Sequence, residues 1–167
     1  VAINAPLAAA VDPRGRLVIA EIAGHTLKRV EGGALSAIAG GGDVLEDPDP
    51  RRVAFDHPAG VAFDGEVMYV ADSVTGVVRR IKADGTADVV IGRTGLGGLM
   101  NPVTATSGRA AEIALSRPLG LAVAADHSLY VSDCFANAVW KVAPDGIATL
   151  VAGQPARLAA CGRTRAA

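Results

Sequence analysis

The chain has 167 residues, of which about half are hydrophobic and a fifth are charged, and its net charge is −1. This balance gives no electrostatic reason to expect binding to nucleic acid or to an anionic membrane surface. No apolar run approaches the roughly 20 residues that a membrane-spanning helix needs, so membrane insertion is not expected.

The first predicted unit begins at Pro6 and contains four short apolar segments. After the proline segment come Val-Ile-Ala-Glu ending at Glu21, Leu-Lys-Arg-Val ending at Val30, and Ala-Ile-Ala-Gly ending at Gly40. The segments are short and interrupted by glycine, aspartate or proline, which favours strands over helices. The sequence therefore predicts four strands between residues 6 and 40.

The same order of segments returns twice further along the chain. The second copy starts at Pro58 and the third at Pro118. An acid lies nine residues before the aliphatic residue that ends the third segment in all three copies: Glu21/Val30, Asp72/Ile81 and Asp133/Val142. A fixed spacing across three copies identifies an internal repeat. Four antiparallel strands per copy predict a β-propeller blade.

The predicted fold is all-β: three four-stranded antiparallel blades, forming a propeller segment over residues 1–153. The blades cover about residues 6–40, 58–92 and 118–153. Inter-blade loops are predicted for residues 41–57 and 93–117, and a disordered tail for residues 154–167. The strand that starts with proline is expected to be innermost in each blade.

The repeat resembles the NHL repeat. The similarity rests on Pro-x-Gly followed by Leu-Tyr-Val-Ser-Asp, Asp-Gly and Val-Ala-Gly, as in the copy that starts at Pro118. The first copy departs from this pattern, because Ala8 replaces the glycine and Glu21 replaces the aspartate. The resemblance implies an NHL-type, six-bladed-like propeller and a family habit of mediating protein contacts.

Three blades do not close a ring, since propellers usually have four to eight. The chain is expected to be a fragment of a six-bladed or larger propeller, to pair with a second copy as a homodimer, or to have capped ends. We favour the fragment, because the chain starts at Val1 rather than methionine. Aliphatic residues such as Leu17, Ile19, Leu129 and Val131 are expected on the bare faces. The compartment stays open, because the sequence shows no signal peptide.

The inter-blade loops are the predicted binding surface, because insertions on one face of a repeat fold often form it. We expect both loops on the same face. The candidate binding residues are Asp47, Asp49, Arg51, Arg52 and His57. Calcium is an alternative for the acids of residues 43–56, but their order does not match a calcium loop. Arg51 and Arg52 favour a neutralised, solvated loop instead.

The acids that follow the second strands, Glu21, Asp72 and Asp133, are interpreted as structural turn residues that accept backbone N–H bonds. His25 lies in a turn and is not expected to share a centre with His57. No catalytic set, metal site or cofactor is predicted.

Two functions remain open. The first is a binding scaffold for a protein or small-molecule ligand. The second is a fragment of a propeller lyase or lactonase whose metal ligands lie mostly outside this chain; it follows from six-bladed relatives of NHL proteins that use metal-bound histidines.

Overall fold

A computed structural model describes residues 2–94 and 105–154 of the chain. The predicted all-β fold is confirmed: three antiparallel sheets follow one another along the sequence. The first contains β1 (Pro6–Val11), β2 (Leu17–Glu21), β3 (Thr26–Glu31) and β4 (Ala34–Gly40). The second contains β5 (Pro58–Asp64), β6 (Val67–Asp72), β7 (Val77–Ile81) and β8 (Ala87–Gly92).

The third sheet has five strands instead of the expected four. It contains β10 (Pro118–Val123), β11 (Leu129–Asp133), β12 (Ala138–Val142) and β13 (Ile147–Gly153), and β9 (Ser107–Arg109) pairs with the outer edge of β13. A short 3₁₀ helix at Ala110–Glu112 follows β9. The additional strand comes from the predicted inter-blade loop, and it covers backbone groups that an open edge would leave unpaired.

The first strands of the three blades lie next to each other, with β5 in contact with both β1 and β10. A proline starts each of these strands, and each has a register shift directly after the proline. The approach is tight at Gly60, where an added Cβ would lie 2.1 Å from the carbonyl oxygen of Leu119. The proline-started strands are therefore innermost.

Two hydrophobic clusters join the blades. Val18 and Leu27 of the first blade share one cluster with Met68 and Val70 of the second. The other cluster joins the second and third blades and contains Val78, Ile91, Leu129, Val131 and Trp140. Each blade is thus stabilised mainly by burial against its neighbour, as expected for a repeat fold.

The inter-blade segments contribute to these clusters and are not merely surface loops. Val53 and Phe55 are buried in the first cluster, and Ile113 and Leu115 in the second. We call these four residues the wedge residues, because each pair lies in a cluster shared by two successive blades. The segments therefore pack between the blades and help to hold them together.

The expected bare faces are only partly those observed. Leu129 and Val131 are buried because they point toward the second blade. Ile19 is also buried, although it lies on the strand face opposite to Val18 and Ala20, which pack toward the second blade. Leu17 is exposed, as are Leu7 and Val11 of the first blade. The exposed apolar surface of the first blade is therefore formed mainly by β1.

None of the described residues forms a helix long and apolar enough to cross a membrane. Cys134 is disulfide-bonded and offers no thiol. The predicted tail lies outside the described residues from residue 155 onward.

Candidate functional site

The acids after the second strands reach the entrance of the first strand in their own blade. The Asp56 N–H donates to Asp72 Oδ1 at 2.7 Å, and the Asn4 N–H donates to Glu21 Oε1 at 3.0 Å. Asp56 and Asn4 hold the same place in the repeat, two residues before the proline. The sequence predicts these donors in the turn after each acid, and the structure shows that the segment before strand one supplies donors as well.

Asp133 makes the same kind of contact in the third blade. Its oxygens accept the N–H groups of Ser116 and Arg117 at 2.8 and 2.7 Å. Burial raises the pKa of Asp133, and the backbone hydrogen bonds oppose that shift. Burial also raises the pKa of Asp72, although Arg79 lies 2.8 Å away and favours the charged form.

Glu21 differs from the two aspartates in its electrostatics. Burial alone would raise its pKa, but Lys28 at 2.9 Å, the Asn4 N–H and the Thr26 hydroxyl together lower it. Glu21 thus occupies the position that an aspartate has in the other two blades, and it differs from them in having a lysine, Lys28, as its charged partner.

Asp56 and His57 stand at the entrance of β5, where backbone contacts fix their position. The Val74 N–H donates to the Asp56 carbonyl at 3.0 Å, and the Ser73 N–H donates to the His57 carbonyl at 3.3 Å. Asp56 Oδ1 lies 2.6 Å from Nδ1 of His57. The turn after β6 therefore holds a carboxylate and an imidazole side by side.

His25 of the first blade lies against this pair. Its ring is perpendicular to that of His57, with the centroids 5.1 Å apart, and its Nδ1 accepts the His57 N–H at 3.4 Å. Asp56 Oδ1 is 3.7 Å from the same nitrogen. The expectation that His25 and His57 do not share a centre is wrong.

The reason lies in the arrangement of the blades. His25 is in the β2–β3 turn of the first blade, at the same end of the propeller as the entrance of β5 in the next blade. Comparing repeats aligns His25 with Gly76 and Asn137, and that alignment carries no information about the neighbouring blade. His57 φ is 59° and His25 φ is 53°, so both histidines adopt the left-handed conformation.

A cleft of about 560 Å³ adjoins the histidine pair. His25 and Asp56 form its polar end, and its apolar lining comes from Leu45, Ala54, Phe55 and Val74, with Gly42 and Thr75 completing it. An apolar cleft with a few convergent polar groups is typical of sites that bind small molecules. We call this cleft and the three side chains His25, Asp56 and His57 the entrance site.

The other predicted binding residues lie away from the entrance site. Asp49 and Arg51 line a second cleft, of about 430 Å³, together with Asp12, Arg14 and Lys82. This cleft is at the opposite end of the blades from the entrance site. Segment 41–57 reaches that end by extending along the outer strands: the Pro48 carbonyl accepts the N–H of Ala87, the first residue of β8. Segment 41–57 therefore begins and ends at the entrance end but also reaches the opposite end of the blades.

The acids and arginines of the segment neutralise one another. The Asp49 N–H donates to Asp47 Oδ1 at 2.8 Å, and the Arg51 N–H donates to Asp49 Oδ1 at 3.0 Å. Arg52 lies 3.3 Å from Asp47. The Arg51 N–H is the main cause of a lowered pKa at Asp49. Of the five predicted binding residues, His57 is the one that lies in the entrance site.

His127 lies at the opposite end of the molecule from His25 and His57. Its Nδ1 is 2.9 Å from Asp64 Oδ1, so it links the β10–β11 turn to the β5–β6 turn of the second blade. Like the other two histidines it has a positive φ, of 62°. It belongs to a separate polar contact between two blades.

Comparisons with known proteins show the fold class. No protein-family model matches the chain, and no curated protein matches it in sequence. Virginiamycin B lyase from Staphylococcus aureus superposes with a TM-score of 0.57 and 14% identity, over 88% of this chain and 41% of that one.

Two further solved structures have a similar fold. A gluconolactonase-like protein has a TM-score of 0.60 and 18% identity, over 89% of this chain and 49% of its own. A chain of a nidogen/laminin complex has a TM-score of 0.64 and 18% identity, over 90% of this chain and 49% of its own. The chain therefore has the fold of a β-propeller segment, and it spans less than half the length of these structures.

Proposed function

We propose that the chain is part of an NHL-type propeller that acts as a binding scaffold and holds its ligand at the entrance site. The cleft of about 560 Å³ is the observation that carries this proposal. It lies where the first strands begin, and Leu45 at its mouth is 49% exposed. An exposed leucine beside a polar cluster is suited to contact a ligand.

The lining of the cleft indicates the chemistry of that ligand. Phe55 and Val74 offer apolar contact, while His25 and Asp56 offer a hydrogen-bond acceptor, a donor and a negative charge. A ligand with an apolar body and a polar or cationic head complements this lining. A small molecule or the side chain of a protein partner meets this description.

A second candidate function is an enzyme of the lyase or lactonase type. The pair of histidines beside a carboxylate favours it, because these side chains act as general acids and bases. The similar structures include a lyase and a gluconolactonase-like protein, whose names are properties of those proteins. In this alternative, blades outside this chain supply the remaining catalytic residues.

The scaffold proposal is tested by ligand titration of the ¹⁵N-labelled chain followed by NMR. A fragment panel of lactones, cationic amphiphiles and short peptides is added, and amide shifts near Leu45 and Val74 are recorded. Leu45→Arg should abolish the shifts by filling the cleft. Val151→Arg is the matched control, because Val151 is also 49% exposed but lies in β13.

The outcomes separate the two functions. Saturable shifts that disappear in Leu45→Arg and persist in Val151→Arg support the scaffold. Conversion of a lactone in the same samples supports the enzyme. Shifts that are equal in both variants, or no shifts with any member of the panel, would contradict the entrance site as a ligand site.

A further inference from the structure

We propose that His25, Asp56 and His57 form a binding site for a divalent transition metal of the zinc class, bridging the first and second blades. The proposal goes beyond the scaffold function, because it needs no organic ligand and is tested with the metal ion alone. It rests on the positions of three side chains that the repeat pattern alone does not bring together.

The donor atoms are close enough to share one ion. One ligand atom from each of the three residues lies within 4.8 Å of the others. Zinc binds nitrogen and oxygen at about 2.0–2.2 Å, so two ligands of a tetrahedral ion lie roughly 3.3 Å apart. Nδ1 of His25 and Oδ1 of Asp56 are 3.7 Å apart, and Oδ1 of Asp56 and Nδ1 of His57 are 2.6 Å apart. These separations lie on either side of the required spacing.

The side chains have room to make the remaining adjustment. The exposed fractions are 45% for His25, 46% for Asp56 and 42% for His57. Rotation about the side-chain bonds therefore meets little steric resistance. The backbone, in contrast, is fixed by the N–H groups of Ser73 and Val74, so the ligands start close to their bound positions.

The donors face one another with suitable hydrogen-bonding roles. Nδ1 of His25 accepts the His57 N–H at 3.4 Å, and a small rotation of the ring redirects its lone pair from this long contact to an ion between the three side chains. Asp56 Oδ1 and His57 Nδ1 are 2.6 Å apart, within hydrogen-bonding distance. A cation that binds both atoms replaces this contact, and metal binding releases any proton that a ligand atom carries.

The charge of Asp56 is available to a metal. Among the residues that the structure describes, the basic side chains within 4 Å of the Asp56 carboxylate are the imidazoles of His25 and His57, and no lysine or arginine pairs with it. Asp72 accepts the Asp56 N–H at 2.7 Å and orients the loop behind the carboxylate. Outer contacts of this kind position the ligands of metal sites.

The set of two imidazoles and one carboxylate selects the class of ion. Imidazole suits zinc, copper, nickel and cobalt, whereas calcium and magnesium prefer all-oxygen sites. Three protein ligands leave a fourth position for water or a ligand atom. His25 and Asp56 also line the cleft, so the open position is expected to face it.

The test uses the full chain after removal of metals with a chelator. Titration with Co²⁺ should give visible absorption bands with saturation at one ion per chain, and Zn²⁺ should displace them. His25→Asn and His57→Asn should each weaken Co²⁺ binding at least tenfold. Asparagine is chosen because Asn137 adopts a positive φ at the position of the repeat that matches His25.

His127→Asn is the matched control. His127 has a positive φ and an aspartate partner, as His57 does, but it lies at the other end of the propeller. Its substitution should leave Co²⁺ binding unchanged. Equal losses in all three variants, unchanged binding in His25→Asn and His57→Asn, or binding of Ca²⁺ in preference to Zn²⁺ would overturn the proposal.

A second measurement covers the case in which a variant fails to fold. Co²⁺ added to the unsubstituted ¹⁵N-labelled chain should broaden the amide signals of residues 24–26 and 55–58 first. Broadening that begins elsewhere would refute the site. Zn²⁺ should also raise the melting temperature of the unsubstituted chain, since it binds the folded state.

Discussion

Arg79 and Asp72 form an ion pair inside the second blade, with Nε and Oδ2 separated by 2.8 Å and both side chains at most 2% exposed. Arg79 also lies 5.6 Å from the ring centroid of Phe55. The pair thus connects the entrance of β5, through Asp72, with a wedge residue of the preceding segment.

Arg79→Met should destabilise the chain by about 3–5 kcal/mol, because it leaves Asp72 buried without a cationic partner. The double variant Arg79→Met/Asp72→Asn should cost less than the sum of the single variants. Urea unfolding measures both. Arg80→Met is the control, since the Arg80–Asp88 pair is partly exposed and such pairs contribute about 0–1 kcal/mol. Strict additivity would contradict the coupling.

Val70→Ala should cost roughly 1–4 kcal/mol by loss of burial and creation of a cavity. Val70 is fully buried in the second blade, in the cluster shared with the first. Val151→Ala, at an exposed position of β13, should change the free energy of unfolding by less than about 0.5 kcal/mol. Similar costs at both positions would show that the cluster does not carry the stability assigned to it.

Lowering the pH should reduce the contribution of Glu21 to the free energy of unfolding. Its pKa is lowered in the folded chain, so its stabilisation is complete above the unfolded value of about 4.3 and is lost as the pH falls through the lower folded value. The stability advantage of the unsubstituted chain over Glu21→Gln should therefore shrink below about pH 4. Denaturant unfolding across a pH series measures it.

Lys28→Met provides the check on that mechanism. Lys28 lies 2.9 Å from Glu21, so its removal should reduce the pH dependence that Glu21 confers. If the unsubstituted chain instead became more stable relative to Glu21→Gln as the pH falls, the predicted pH dependence would be contradicted.

The purified chain should self-associate or be marginally stable, because the first blade leaves apolar residues of β1 uncovered. Leu7 and Val11 are 56% and 62% exposed. Sedimentation velocity across a concentration series measures the association, and Val11→Glu should weaken it. Leu45→Glu is the control at a comparably exposed leucine outside β1. A concentration-independent monomer with a cooperative melt at high temperature would contradict the prediction.

The blades could be predicted from sequence because each depends on local signals. The alternation of apolar residues, the proline and the closing glycine all lie within one repeat. The entrance site could not be predicted in the same way, because His25 and His57 meet across two blades. Their contact depends on how successive sheets are placed, which the spacing of residues within one repeat does not specify.

The wedge residues are an intermediate case. Val53 and Phe55 alternate within a segment otherwise rich in acids and arginines, and this alternation was a readable sign of burial. The charged neighbours in the same segment instead favour a solvated loop. The position of Asp49 and Arg51 could not be predicted, because the segment leaves the entrance end at Gly40, extends to the opposite end of the blades and returns to Pro58.

The wedge residues also redefine the unit from which such a chain can be assembled. A blade copied alone would lack the aliphatic and aromatic side chains that seat it against the next blade. A modular graft, circular permutation or gene duplication would therefore have to carry the following segment with the blade. A cut after Gly40 or Gly92 would separate a blade from the wedge residues that follow it. A cut just before Pro58 or Pro118 would remove the backbone N–H groups that Asp72 and Asp133 accept.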